Sequence, residues 1–398
     1  MQSALEGIRV VEVTEALAGP YCAMLLGDLG ADVIKVERRI TGDHARGWGP
    51  PFVEGESAYF LAANRNKRSL TLDYNPPWGS EVLERLIASA DVFLINQPSL
   101  ASLNKRGLDP ETLRAKHPRL VYCAISGYGL KSSSKSALPG YDIVAQAEAG
   151  VMSFTGEPDG QPVRYPIAIA DMTCGIYAAM GILAALLSRE KCGQGQFLDM
   201  ALFDSQLSWL INIGSNWLNC GEEPERWGNA HPSIVPYDVF AGSDGRCFVL
   251  GVGTDSLWQR LTALLEDPGL GEDPRFATNA LRIEYRQELI PGLRTRFRTK
   301  PANMWLEKLA AARIPAAAIQ AVPEALNDPH TLERRLVVEI AHPLLGIAKS
   351  IANPIRMSES PPVYRLPPPL LGEHTSAVLA ELGFTPEQIA QLKVEAVV

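Results

Sequence analysis

The chain has 398 residues, 46% apolar and 21% charged, with a formal net charge of −8. That length exceeds what one hydrophobic core usually serves, so two domains, or one with a large insertion, are expected, and the ordinary globular balance excludes a disordered chain. The acidic sign excludes broad attraction to nucleic acid or an anionic membrane, while local basic residues remain able to hold a phosphate-bearing ligand.

Residues 8–14 read as a strand, 21–29 as a helix and 32–37 as a second strand, with Gly30 turning the chain between the last two. So compact a strand, helix and strand is a βαβ unit with parallel pairing. Strands at 70–73, 91–96 and 120–126 continue the alternation. So do helices at 77–89 and from Pro110, the latter capped by Asp109. The expected fold class is therefore α/β, with a doubly wound first domain. In the stretch from Tyr165 to Leu187 an extended approach ends at Ala170 and a helix begins with Asp171 at its N-terminal end. There the carboxylate is either a cap that accepts backbone N–H bonds in the favourable field of the helix, or a working group. The apolar run 176–187 is too short to span a bilayer.

A strand at 196–200 and a helix at 201–218 follow, then a stretch at 220–236 whose Gly, Pro and Asn content suggests a linker or exposed loop. From Tyr237 a hairpin (237–240 and 247–250), helices at 256–265, 286–297 and 301–312, and an extended run at 317–322 make a compact second domain. From Thr331 the chain is extended and Pro-rich, closing with helices at 375–382 and 386–392. Such a tail cannot form a core alone and must lie on the first domain or on a partner.

The six cysteines form no CxxC pair and the six histidines lie far apart, so neither a disulfide framework nor a metal site is legible. The absence of a basic leader or signal core points to a cytoplasmic protein. Gly19, Gly27 and Gly30 do not make GxGxxG, because Gly30 falls at the end of the helix rather than its start. Phosphate-loop, serine-elbow and HExxH signatures are missing as well. The densest positive run, Asn64 to Arg68, is either a solvated loop or a set of phosphate donors at a sheet edge. Lys35, Arg38 and Arg39 lie at the end of the second strand, where open α/β sheets bind ligands. Two basic clusters at successive loops suggest one anionic ligand spanning them.

A set of ordered motifs makes a resemblance specific. They are Ala18-Gly-Pro20, residues 28–37, Gly42-Asp43, residues 64–73, Pro139-Gly-Tyr-Asp142, residues 155–160, residues 228–232 and residues 368–375. In this order, and over nearly the full length, the chain resembles the family III coenzyme A transferases. That group includes formyl-CoA and carnitine CoA-transferases and is related to alpha-methylacyl-CoA racemase.

The resemblance implies a Rossmann-like large domain plus a smaller α+β domain in an interlocked homodimer. The large domain takes residues 1–220, the small one 221–330, and residues 331–398 return to complete the large one. It implies an enzyme that moves coenzyme A from an acyl-CoA donor, a small mono- or dicarboxylate thioester such as succinyl-CoA, to a carboxylic acid acceptor. No cofactor is tightly bound, coenzyme A is substrate, and neither nucleic acid nor membrane is a partner. The nucleophilic acid falls on Asp171, passing through aspartyl anhydride and aspartyl-CoA thioester states. Oxyanion donors fall on a glycine loop at Gly251 and Gly253. Coenzyme A contacts fall on Ala18, Arg38, Leu72, Asp73, Asn96, Gln97 and Arg106. The family's arginine is missing from residues 95–100 and its glycine and proline from 130–135, so Lys131 or Lys135 is a candidate replacement for the missing charge. Gln146 and Glu148 are pocket candidates with core or surface roles open. Arg164 and His231 either pair with a distal carboxylate or are surface loop residues. A racemase expects a histidine where this chain has Tyr141, and no histidine lies between residues 117 and 231, which favours transfer. A racemase or isomerase and an inactive coenzyme A-binding homologue are the competing readings.

Overall fold

A computed structural model of the chain describes residues 2–96, 99–131, 134–136 and 138–398. It divides into two compact units. The first comprises Met1–Val151, Arg164–Gly221 and Pro329–Val398, and the second Met152–Val163 and Glu222–Asp328.

The first unit is built on six parallel strands, in the order Lys67–Thr71, Asp32–Glu37, Arg9–Val13, Val92–Ile95, Val121–Ser126 and Phe197–Ala201. Ranked along the chain this is 3-2-1-4-5-6, the doubly wound order. Side chains alternate between faces along each strand. Val11, Ile34, Phe93 and Tyr122 point into one core with Leu83, Leu86, Val378, Leu379 and Leu392. Val10, Val33, Val92, Leu94 and Cys123 point into the other, with Cys22, Leu26, Cys174, Ala178 and Ile182. Helices on both faces explain why the central strand Val92–Ile95 is apolar and buried along its whole length rather than alternating.

The helix bearing Asp171 runs Ile169–Cys192, 24 residues. It is twice the apolar run measured from the sequence, and by length and composition it reaches the size of a membrane span. Half of that span is buried inside the protein. Gly175 allows this packing, since a Cβ there would come within 2.7 Å of the Ala18 carbonyl oxygen. The predicted helix over 201–218 is broken into Leu202–Leu207, a short turn at Ser208–Leu210, and Ile211–Cys220. The break falls at Ile211, whose φ is 34°. Just before it, the Ser205 and Ser208 hydroxyls donate to the carbonyls of Ala201 and Ser205, a local competition that bends helices.

The basic run 64–68 is neither a solvated loop nor a phosphate site. Arg65 is buried and donates to both oxygens of buried Asp28 at 2.9 and 2.6 Å, and to Ser350 Oγ and the Ile351 carbonyl. Asn66 accepts from the Arg365 and Leu366 amides and donates to the Val363 carbonyl. Lys67 meets Glu12 at 2.9 Å, and Arg68 bridges Asp32 and Glu381. Buried charges have to be paired: Asp28, Glu12 and Asp32 pair these cations, and the Pro-rich tail is tied to them through Ser350, the Ile351 carbonyl and Glu381. Within that tail Val337–His342 and Gly346–Ile351 form an antiparallel hairpin where only extended chain was expected.

The second unit carries a three-stranded antiparallel sheet of Ala316–Ala318, Cys247–Gly251 and Tyr237–Ala241. Its core is aromatic, with Phe297 against Phe240, Phe248 and Trp305 at ring separations of 4.9, 5.2 and 5.3 Å. The segment Met152–Val163, assigned from sequence to the large domain, groups with this unit. The cause is hydrogen bonding: Gly228 N–H donates to the Gly156 carbonyl, and Arg226 donates to the carbonyls of Ser153 and Glu157.

Candidate active site

In a doubly wound sheet, ligands bind beyond the carboxyl ends of the strands where the strand order reverses. Here that point lies between Arg9–Val13 and Val92–Ile95. The chain leaving the first strand is clamped there. Ala16 has φ 70°, and its amide donates to Asp43 Oδ1 at 2.9 Å. Asn96 brackets Glu15, accepting from its amide at 3.1 Å and donating to its carbonyl at 2.8 Å. Beneath them the buried Lys35 ammonium reaches Glu12 at 3.1 Å, Asp43 at 2.8 Å and the Thr14 carbonyl at 2.9 Å. Those acids hold Lys35 in its charged form despite burial. The clamp sets the start of helix Ala18–Asp28, and the close approach at Gly175 sets helix Ile169–Cys192 against it.

Asp171 and Ala18 consequently line one cavity of about 640 Å³, together with Glu15, His44, Trp48, Tyr59, Asn96, Asp142, Arg164 and several apolar side chains. Asp171 lies in the first turn of its helix but makes no capping bond. The capping role read from sequence belongs to Asp142, at the start of the earlier helix Asp142–Glu148. Asp142 Oδ1 accepts from the Ala170 amide at 2.8 Å, and Oδ2 accepts from Gln146 Nε2 at 2.7 Å. Burial, aided by the Asp142 charge, pushes the Asp171 carboxyl from an ordinary 3.8 up to about 7. The helix field favours ionisation, but desolvation prevails. Tyr59, packed edge-on against Trp48 at 4.9 Å, is pushed up to about 12 by burial and by the charges of Asp171, Asp142 and Asp43. Its phenol therefore stays a hydrogen-bond donor.

Of the residues expected to touch coenzyme A, Ala18 and Asn96 line this cavity. Arg106 lies 5.9 Å over the Tyr74 ring, and the Tyr74 phenol, raised first by burial, also feels the charges of Arg38 and Asp73. Arg38 is held by Glu15 at 2.9 Å. The Leu72 side chain lies in the core and its amide donates to the Glu37 carbonyl. Gln97 lies outside the described residues. Lys131 and Lys135 line a separate cavity with Asp199 and Asp204. They pair with Glu111 at 2.6 Å and Glu148 at 2.7 Å, so neither supplies a charge to the cavity of Asp171.

Gln146 is fully buried and Glu148 is committed to Lys135. Gly251 and Gly253 belong to the second unit. The Gly251 amide donates to the Pro315 carbonyl at 3.0 Å and so is engaged rather than free to meet an oxyanion. No atom comes within 4 Å of a Cβ built on Gly253. His231, in the same unit, accepts from the Ser233 amide and packs against Tyr237.

Sequence reasoning missed Trp48, Tyr59 and the role of Asp142. The signals were an aromatic residue inside the Gly47-to-Pro51 turn and an acid at the start of a short helix, neither distinctive without the third dimension.

The family model for CoA-transferase family III matches residues 5–375. The chain is 41% identical over 384 residues to succinate–glutarate CoA-transferase of Agrobacterium fabrum, covering 95% of each protein. It is 39% identical over 378 residues to succinyl-CoA:glutarate CoA-transferase of Mus musculus, covering 95% of this chain and 86% of the mouse protein. The crystal structure of a CAIB/BAIF family protein from Brucella suis superposes with a TM-score of 0.84 at 41% identity, covering 96% of this chain and all of that one.

Proposed function

The chain belongs to CoA-transferase family III and is an enzyme of coenzyme A transfer; we propose that it exchanges coenzyme A between small dicarboxylic acids of the succinate and glutarate type, with Asp171 as the nucleophile. The observation that carries this reading is the Asp171 carboxylate, uncapped and lining a largely apolar cavity while a second acid, Asp142, performs the structural task beside it.

In the proposed sequence an Asp171 oxygen attacks the thioester carbonyl of the donor. The C–S bond breaks, giving a mixed anhydride and coenzyme A thiolate. The thiolate attacks Cγ of Asp171, the C–O bond of the anhydride breaks, and the donor leaves as its carboxylate, so that Asp171 now carries the thioester. An acceptor carboxylate attacks that Cγ and expels the thiolate, which then attacks the acceptor acyl carbon and restores the Asp171 carboxylate. No net proton moves, so no base is needed for the nucleophile. Apolar lining residues such as Leu17, Ile125, Leu138 and Leu202 keep water from the anhydride and the thioester. The Tyr59 O–H is a donor for carboxylate or developing oxyanion in the same space.

We further propose that the protein works as a homodimer. Supporting this, Ile176, Met180 and Leu187 on the outer face of the Asp171 helix are exposed, as are Trp217 and Leu218, and so large an apolar set marks an interaction surface. Light scattering at micromolar concentration is expected to give twice the chain mass.

The test of the chemistry is chemical trapping. Incubation with succinyl-CoA followed by hydroxylamine or borohydride is expected to modify Asp171, located by mass spectrometry, and to leave Asp171→Ala unmodified. Transfer that proceeds undiminished in Asp171→Ala would overturn the assignment.

A further inference from the structure

Three carboxylates line the cavity: Glu15, Asp142 and Asp171. A dicarboxylic acyl group presents one carboxyl carbon to Asp171 and brings a second, distal negative charge into this acidic space. Burying that charge without a cation is unfavourable, which makes a basic side chain in the lining the natural partner. Two basic side chains line the cavity, His44 and Arg164. His44 is already engaged on both ring nitrogens, with Nδ1 3.1 Å from Glu15 and Nε2 2.7 Å from an Arg38 nitrogen. Arg164 differs. One terminal nitrogen donates to the Tyr165 and Pro166 carbonyls at 3.3 and 3.0 Å, and no carboxylate among the described residues pairs with it. Those two bonds fix one corner of the guanidinium and leave the edge formed by Nε and the other terminal nitrogen. That edge has the fork geometry that grips a carboxylate through two parallel bonds.

The backbone that carries Arg164 is tied to the nucleophile. The Tyr165 amide donates to Gln146 Oε1 at 2.8 Å. Gln146 Nε2 donates to Asp142 Oδ2 at 2.7 Å, and Asp142 Oδ1 accepts from the Ala170 amide, one residue before Asp171, at 2.8 Å. Gln146 is fully buried and Asp142 nearly so, so this chain of bonds is shielded from water. It holds the base of the Arg164 side chain at a set distance from the Asp171 carboxylate. A set distance between a carboxylate reader and an acyl acceptor is what distinguishes a diacid from a monoacid of similar length.

We infer that Arg164 is the specificity-determining residue for the distal carboxylate of the acyl group, held in register with Asp171 through Gln146 and Asp142. The inference rests on the transferase reading above and adds to it the side chain that selects diacids.

The experiment compares glutarate with valerate, a monoacid of the same carbon count, as acceptors at saturating succinyl-CoA. In a ping-pong scheme kcat/KM for the acceptor reports only the acceptor half-reaction, so an effect on the donor half does not enter. Wild-type protein is expected to prefer glutarate. Arg164 is exposed in the free protein, so Arg164→Gln is expected to lose about 10-fold in kcat/KM for glutarate, the lower end for hydrogen bonds to a charged group, mainly through KM. Its kcat/KM for valerate stays within about twofold of wild type, because a ligand without a distal charge never used the guanidinium. Arg164→Lys, which keeps the charge without the fork, restores part of the glutarate loss. Equal losses for both acids would show a merely structural role and overturn the inference, as would an unchanged preference for glutarate. A wild-type protein that turned over neither acid would overturn the transferase reading itself.

Discussion

Replacing Asp171 by Asn tests the electrostatics of the site without substrate. In the unfolded chain Asp171 ionises near its ordinary 3.8, whereas in the folded protein burial and Asp142 hold it protonated up to about 7. Between those two values the folded state keeps a proton that the unfolded state has lost. Wild-type protein therefore loses stability as pH rises through the window and reaches a plateau above it. A gap of about 3 pH units sets a ceiling of about 4 kcal/mol, at ~1.4 kcal/mol per unit. Asp171 borders an open cavity, where relaxation and water reduce that figure to roughly 1–3 kcal/mol. Asn matches Asp in shape and never ionises. Its stability advantage over wild type is accordingly expected to be near zero at about pH 4, to grow through about pH 6, and to level off at roughly 1–3 kcal/mol above pH 7.5. Urea unfolding of both proteins at matched pH values measures it, since titrating groups that do not feel the Asp171 charge cancel in the difference. A difference independent of pH, or one that shrinks as pH rises, would refute the claim that burial dominates the Asp171 environment.

Transfer requires the ionised form, so the rate is expected to rise with pH along a limb centred near 7. Asp142→Asn, which removes the smaller of the two causes, should move that limb to lower pH while an oxygen still accepts from Ala170; a pH–rate profile reads it. Arg65→Ala leaves Asp28 charged and buried without its partner and is expected to lose about 3–5 kcal/mol. Limited proteolysis should then cut first in the tail around residues 351–366, which Arg65 and Asn66 hold. Gly175→Ala places a methyl 2.7 Å from the Ala18 carbonyl oxygen and forces apart the two helix starts that border the cavity. A loss of about 1–3 kcal/mol is expected in thermal or urea unfolding, with a fall in kcat as Asp171 shifts.

What the sequence determined by itself was everything carried by local periodicity and punctuation. Most of the alternation through residue 126, the Asp109–Pro110 helix start, and the inability of the tail to stand alone were legible because hydrophobic period and capping chemistry act within a few residues of one another. The short helices Ala58–Ala63 and Leu100–Arg106 were not, and the strand expected at 70–73 runs Lys67–Thr71. The family motifs added an ordered frame of the same linear kind. The tertiary structure alone decided which partner each charge found. Asn64 to Arg68 reads as a basic loop in one dimension, yet folding brings Asp28, Glu12 and the returning tail to it and turns exposed donors into a buried anchor. Asp171 and Asp142 both stand at helix starts, and of the two only Asp171 reads as a possible cap from sequence. Only the packing of two helices assigns the cap to Asp142 and leaves the cavity to Asp171. The physical reason is range: propensity and capping are set by neighbours along the chain, whereas desolvation and ion pairing depend on what long-range folding brings alongside.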